Sequence, residues 1–529
     1  MSATEKNPVP DDIKPQRTAE SSSSTVEHVG QVSEPVHLDR TRFSVLGAVG
    51  IHWSSAAAPL SICSSLQLVI GVGGSPFYFW AFCAAAFFQL TVALSLAELA
   101  SAYPHTSGQA YWVTKLAPSK VSRFMTYWVG ICTFWGWLFG MAGTATLGAE
   151  FILALGTLTV GSPTRELWQV YLVTVAMGAV ALFMNTIAIR VLPKITFPNV
   201  VFLNAATLFI FVTLLAKASP KASASTVFVD VLNYTGWSSD GVVFLLSLLP
   251  GSVAISLFDA ATHASDEMPR PAEQVPRVMI GTTILNIIST FIMLLGVLFC
   301  LNKPENLLEP LAGLAFIQLC WDAWPNLGFV TTVAVIYSLL NIFAVTTIVY
   351  TCSRLIWSFA QTGGFHRRSW LVGVNRRLQV PVNAVFLTVI LLFLVNLLIL
   401  GPSTVLNAMF GAGGFFFVNS YCIPIILLLI RGRKSLPENR SFHLGRFGTA
   451  INATAVAYCA VLGTIINFPT FIPVQPSTMN WTSACIGVCA ALTVGNWFMA
   501  RHSYQPPEPL YEGPDFQLRR RESEAEYLI

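Results

Sequence analysis

The sequence predicts an all-α polytopic membrane protein with twelve transmembrane helices. Three observations carry this. Of the 529 residues, 54% are hydrophobic and only 11% charged, whereas a soluble domain carries about 25% charge. The chain contains twelve apolar runs near or above the roughly 20 residues a helix needs to cross a bilayer. The basic residues then alternate: with the N-terminus inside, 26 of the 30 Lys and Arg fall in loops on one side, as the positive-inside rule requires. A missed or extra span would invert the sign of every later loop.

In chain order the spans are predicted at about 43–70, 76–100, 121–156, 166–189, 196–216, 241–263, 276–300, 327–360, 381–400, 404–430, 447–468 and 480–500. Residues 1–40 are polar, with a serine run from Ser21 to Ser24 and no apolar core for a cleavable leader. They read as a disordered cytosolic tail. Residues 41–500 form the membrane domain and 501–529 a second cytosolic tail, so both termini are expected inside. The lipid bilayer is the predicted environment. The outside face keeps Arg165, Lys217, Lys221 and Lys303.

Several function classes are disfavoured. A net charge of +4, with no basic stripe beyond the membrane-flanking loops, argues against nucleic acid. No CxxC pair suggests a metal site. Most of the ten cysteines lie in apolar runs, where a thiol behaves as a small hydrophobe. Gly71 to Gly74 and Gly411 to Gly414 do not match a phosphate-binding loop, and close helix packing accounts for the second cluster. No HExxH motif or facing acid pair suggests an enzyme, and no cofactor is expected.

Two spans carry helix breakers. The first holds His52, Trp53, Ser54, Ser55, Ala56, Ala57 and then Pro59. A mid-helix proline frees a backbone carbonyl and kinks the chain. Ordinary packing of a kink beside small residues is the alternative. The sixth holds Pro250, Gly251 and Ser252, then Phe258, Asp259 and His263. Interrupted helices at matching positions of two five-span halves mark a midplane solute site in carriers. Asp259 reads either as an amine or proton partner, or as the N-cap of the half-helix that follows. Trp53 and Phe258, beside the breaks, are candidates to wall a pocket or hold an ammonium. Glu98 reads as an interfacial, snorkelling acid near the cytosolic end of span two. Its alternative is a gate ion pair with Arg42 or Arg354. His263 is expected at the cytosolic mouth and Glu150 near the outer interface.

A family resemblance rests on stretches spread along the spans: Ser95 to Pro104 with Ser107 to Trp112, and Phe258 to His263 with Asp266 to Pro271, Val275 and Pro276. Ser353 to Ala360, Tyr421 to Ile425, Arg431 to Arg433 and Phe442 to Gly448 complete the set. On these, the chain resembles the fungal amino acid/choline permeases (GABA permease-like and choline permease-like) of the amino acid–polyamine–organocation (APC) superfamily. The resemblance implies a transporter domain with a five-plus-five inverted-repeat APC-type core and two extra C-terminal helices. It implies a solute site between spans one, three, six and eight, with Ser54 to Ala58 and Gly251 to Asp259 unwound. The substrate-binding residues would be Trp53, Ser54, Ser55, Ala56, Ala57, Gly251, Ser252, Phe258 and Asp259. Span eight would offer Asn341, Thr346 and Tyr350. Glu98, Arg354 and Asp259 would serve as gate or coupling residues.

The implied activity is secondary active transport of a small amine-bearing solute, an amino acid of GABA type or choline, by alternating access with proton coupling. A plasma-membrane location goes with it. A non-transporting nutrient sensor on the same fold is the alternative. Three departures stand out: His52 precedes Trp53 where the family favours serine, Ser107 precedes Gly108 where it favours a double glycine, and span five has no mid-helix lysine.

Overall fold

A computed structural model describes residues 42, 44–69, 71–161, 166–365, 368–401, 405–475 and 478–508. The expected tail at 1–40 and, of the one expected at 501–529, residues 509–529 lie outside the described residues, as does Arg165. Among the described residues twelve helices are long and apolar enough to cross a membrane. They are Val45–Ser64, Gly74–Ala102, Ser119–Val160, Leu167–Asn185, Leu192–Lys217, Asp240–Glu267, Pro271–Cys300, Leu327–Gln361, Val382–Leu400, Asn407–Arg431, Gly445–Ile465 and Thr482–Ala500. The protein is thus an all-α polytopic membrane protein, and we number the spans one to twelve.

The packing pairs expose the two halves. Span two packs on span seven and span three on span eight. Several other contacts come in matched sets when five is added to or subtracted from each number. Spans four and eight pair, as do nine and three; one and seven pair, as do six and two; five and seven pair, as do ten and two. This is the contact pattern of a five-plus-five core related by a pseudo-two-fold axis. Span eleven packs on spans two and ten. In span one 72% of the apolar window is buried, against 17% in span twelve, so the first span sits at the centre and the last at the rim.

Both interrupted helices are present, but the interruptions are shorter than expected. Span one is helical from Val45 to Ala56 and again from Ala58 to Ser64, and only Ala57 leaves the helix, at φ 40°. Pro59 explains the place: it has no N–H to give the Ser55 carbonyl, so the ladder cannot continue through it. Ser54, Ser55 and Ala56 stay helical. In span six, Pro250, Gly251 and Ser252 lie inside the helix Leu248–Ile255. The break comes later, at Ser256 and Leu257 (φ 68°), before the 3₁₀ segment Phe258–Glu267. Pro250 is tolerated because it falls in the first turn of its helix, where an N–H would lack a partner anyway. A left-handed non-glycine residue costs about 1–2 kcal/mol, so Ala57 and Leu257 are strained points held by their surroundings.

One end of the bundle carries Arg42, Arg354, Arg433 and Arg440 and is called the basic end below. There the short helix Gln109–Leu116 links spans two and three. The segment after span twelve crosses the ends of spans three and eight. Tyr504 is buried against Tyr127 and Phe359, Arg123 Nε donates to the Tyr504 carbonyl, and Gln505 N–H donates to the Thr362 carbonyl.

Candidate functional site

Both breaks line one cavity. Its floor is at Leu257 and Tyr421, and its lining runs to Ser64, Phe410 and Ile466 near the far ends of their spans. It offers about 100 Å³ to water-sized groups. Ser55, Ala56 and Ala57 come from the first break, and Ser252, Ser256 and Leu257 from the second. Among the described residues, no Asp, Glu, Lys, Arg or His lines it. Polarity comes from hydroxyls and amides such as Ser55, Gln89, Thr144 and Asn341, and aromatic surface from Tyr337, Phe410, Phe417, Tyr421 and Tyr458.

The expected site divides at this wall. Ser55, Ala56, Ala57 and Ser252 line the cavity; Trp53, Ser54, Gly251, Phe258 and Asp259 do not. Trp53 sits in the packed core because its position on the intact helix turns it away. Ser54 accepts a hydrogen bond from Asn199 Nδ2 of span five at 2.8 Å. Gly251 faces span two, where a Cβ would come within 3.1 Å of the Phe82 backbone, so it serves close packing. Phe258 is buried against Tyr421, ring centroids 4.8 Å apart. On span eight, Asn341 lines the cavity, while the Thr346 carbonyl accepts from Asn185 and the Tyr350 hydroxyl donates to Glu267.

The cavity also reaches beyond spans one, three, six and eight. Gln89 and Val92 come from span two, Phe417 and Tyr421 from span ten, and Tyr458, Cys459, Leu462 and Ile466 from span eleven. Tyr458 and Ser252 share a hydrogen bond of 2.6 Å, Gln89 Nε2 donates to the Ser252 carbonyl at 3.0 Å, and Tyr458 stacks on Phe88 at 5.2 Å. Gly413 and Gly414 line the cavity too, although Gly413 also packs tightly on Phe139.

On the basic-end side, three buried clusters follow. Asp259 is the centre of the first. Its Oδ2 accepts from Gln109 Nε2 (2.7 Å) and Trp137 Nε1 (3.2 Å) and faces His263 Nε2 (3.2 Å). Its Oδ1 accepts from the Tyr421 hydroxyl (2.7 Å). The N-cap alternative fails: Leu257 holds the N-cap position, and the Asp259 carboxylate bonds to side chains. His263 is inside this cluster, not at a solvent mouth; it is buried and its Nδ1 meets the Thr106 carbonyl at 2.8 Å. One 3₁₀ segment brings both residues to the same place.

Glu267 is the second centre. It accepts from Arg354 Nε (2.9 Å) and Tyr350 (2.8 Å), and Arg42 Nε lies 3.2 Å away. The Arg354 guanidinium stacks over the Tyr350 ring at 3.9 Å. Arg42 also donates to the Leu378 and Gln379 carbonyls, so it ties the start of span one to the connection between spans eight and nine.

Glu98 is the third, and here two expectations are corrected. It is fully buried, not snorkelling, and its partners are neither Arg42 nor Arg354. Arg433 Nη1 and Nη2 grip both oxygens at 2.6 Å, Arg440 Nη2 reaches Oε1 at 3.2 Å, and the Leu444 N–H donates at 3.1 Å. The loop between spans ten and eleven folds over the end of span two and supplies the cations, which leaves Arg42 and Arg354 to Glu267. A fork-on-carboxylate pair is the strongest ion-pair geometry available to arginine.

Beside these clusters, His105 is buried outside the spans. Its Nδ1 accepts from the Ser107 N–H (2.8 Å) and its Nε2 faces the Glu508 carbonyl (3.0 Å). That pattern fits a neutral ring with the proton on Nε2. Burial lowers its pKa to about 4.

Twelve spans, two interrupted helices meeting at one cavity, and buried ion pairs on one side of it define a membrane transporter of the broken-helix class. The family profile described as amino acid permease matches residues 43–491, and the chain belongs to that family. It is 27% identical to the choline transporter of Saccharomyces cerevisiae, over 87% of this chain and 82% of that protein. It is 29% identical to the swainsonine transporter of Arthroderma benhamiae (86% and 90% covered). Amino-acid permease 2 of Neurospora crassa is 26% identical (86% and 85% covered).

Proposed function

We propose that this transporter is a secondary carrier for a small amine-bearing solute, an amino acid of GABA type or a choline-like amine, moved by alternating access. The observation that carries this is the cavity at the two breaks, rich in aromatic faces and hydroxyls and free of ionised side chains among the described residues. An ammonium there meets the carbonyl that Pro59 leaves free at Ser55 and the faces of Phe417, Tyr421 and Tyr458. A carboxylate or hydroxyl meets backbone N–H groups at the start of the second half-helix. The space, about 100 Å³, is on the scale of a small solute. The names of the choline transporter and the amino-acid permease point the same way.

Asp259, Glu98 and Arg354 then act on the basic side of the site. Glu98 and Arg354 hold that end shut, and Asp259 is the coupling group for a proton. By the positive-inside pattern the basic end is cytosolic and both termini lie there; the plasma membrane is the location that the family resemblance implies.

The test is uptake into proteoliposomes of labelled choline, GABA and zwitterionic amino acids, with a pH indicator in the lumen. Uptake of one class accompanied by acidification supports the reading. Uptake without any lumenal pH change removes the proton, and uptake of none of them removes the amine.

A further inference from the structure

Among the described residues, Tyr421 is the one shared by the cavity lining and the direct partners of Asp259. Of the four side chains that meet the carboxylate, Gln109, Trp137 and His263 do not line the cavity; Tyr421 does. Its ring packs against Phe258 (4.8 Å) and Phe417 (5.6 Å, nearly parallel). The ring is therefore fixed, and the freedom left to the residue is rotation of its O–H about the C–O bond. The two oxygens of Asp259 are also unequal: Oδ2 has three partners, whereas Oδ1 accepts only from Tyr421.

We propose that Tyr421 is the positioning residue that couples occupancy of the cavity to the closure of the basic end. This rests on the carrier reading above. With the cavity empty, the hydroxyl donates to Asp259 Oδ1 and completes a cluster that joins spans three, six and ten to the helix Gln109–Leu116. A solute presenting a hydrogen-bond acceptor, a carboxylate or hydroxyl oxygen, draws the same O–H towards the cavity. Oδ1 then loses its donor in a buried place, where an unsatisfied carboxylate oxygen is costly. The cluster loosens from the solute side, and the basic end is released only when the site is filled.

Tyr421→Phe keeps the ring stack and removes only the O–H. Hydrogen–deuterium exchange on the full-length protein in detergent, without solute, reads the coupling independently of what is carried. Exchange in the Phe258–Glu267 segment should rise about ten- to a hundredfold in the variant, the scale of one buried charge-assisted hydrogen bond. Exchange unchanged from wild type would overturn the proposal whatever the solute proves to be. Counterflow and equilibrium binding of choline and of GABA give the functional arm. Binding of whichever compound the wild type takes should hold within about threefold while turnover falls about tenfold or more. Binding and turnover lost in equal measure would make Tyr421 an ordinary solute contact and overturn it as well.

Discussion

Replacing Arg433 by alanine should cost far more than replacing Arg440, although both arginines touch the same carboxylate. Arg433 supplies two bonds of 2.6 Å to Glu98 and Arg440 one of 3.2 Å, and both cations are largely buried. Without Arg433, Glu98 retains one longer arginine contact and the Leu444 N–H. That is close to breaking a buried pair, about 3–5 kcal/mol. Without Arg440, the fork and the backbone donor remain, and the loss is nearer one charged hydrogen bond, about 1.5–3 kcal/mol. The assay is thermal unfolding of purified protein in detergent, with a double-mutant cycle of Glu98→Gln against Arg433→Gln. Strong coupling and a larger fall for Arg433→Ala are expected. Equal falls for the two arginine variants, or a cycle with no coupling, would refute the geometry on which the proposed closure of the basic end rests.

Four further outcomes are expected. Asp259→Asn should fold, since its amide oxygen can face Gln109 and Trp137 while its NH₂ donates to Tyr421, yet uptake should be abolished; unchanged uptake kinetics would remove Asp259 from the mechanism. Ala57→Gly should relieve about 1 kcal/mol of left-handed strain and raise the melting temperature. Ala57→Val should add strain of that order and crowd the cavity, lowering uptake without loss of expression. His105 has its pKa lowered from 6.5 to about 4 in the fold, so the unfolded chain takes up the proton first on acidification. Its contribution is intact above pH 6.5 and declines as pH falls towards 4. Melting temperatures should therefore drop less over that window in His105→Gln than in wild type, and an identical drop would show that His105 does not stay neutral.

The spans and the pairing of the two interrupted helices were legible because they follow from local properties: apolar length, loop charge and the missing N–H of Pro59. The exact wall of the site was not. Trp53 and Phe258 adjoin the breaks in sequence, but an intact helix at 53 and a 3₁₀ segment at 258 turn both into packed surroundings. Phe417, Tyr421 and Tyr458 lie in uninterrupted apolar helices, where an aromatic reads as packing, so the sequence does not single them out as site residues. The spacing of Phe417 and Tyr421, four residues apart on one helical face, was the available signal. The burial of Glu98 is not legible in the sequence because its cations arrive from a loop more than 330 residues later, and no local pattern announces such a partner. His263, one turn from Asp259, was within reach of the helix-spacing argument.

The most direct measurement is counterflow in proteoliposomes, because it needs no knowledge of the coupling ion. Vesicles preloaded with unlabelled choline, GABA or a zwitterionic amino acid should transiently accumulate the labelled form of at least one of them. The folded Ala57→Val protein should accumulate markedly less of it. No accumulation by folded wild-type protein, or accumulation undiminished in Ala57→Val, would contradict a carrier working through the cavity at the two breaks.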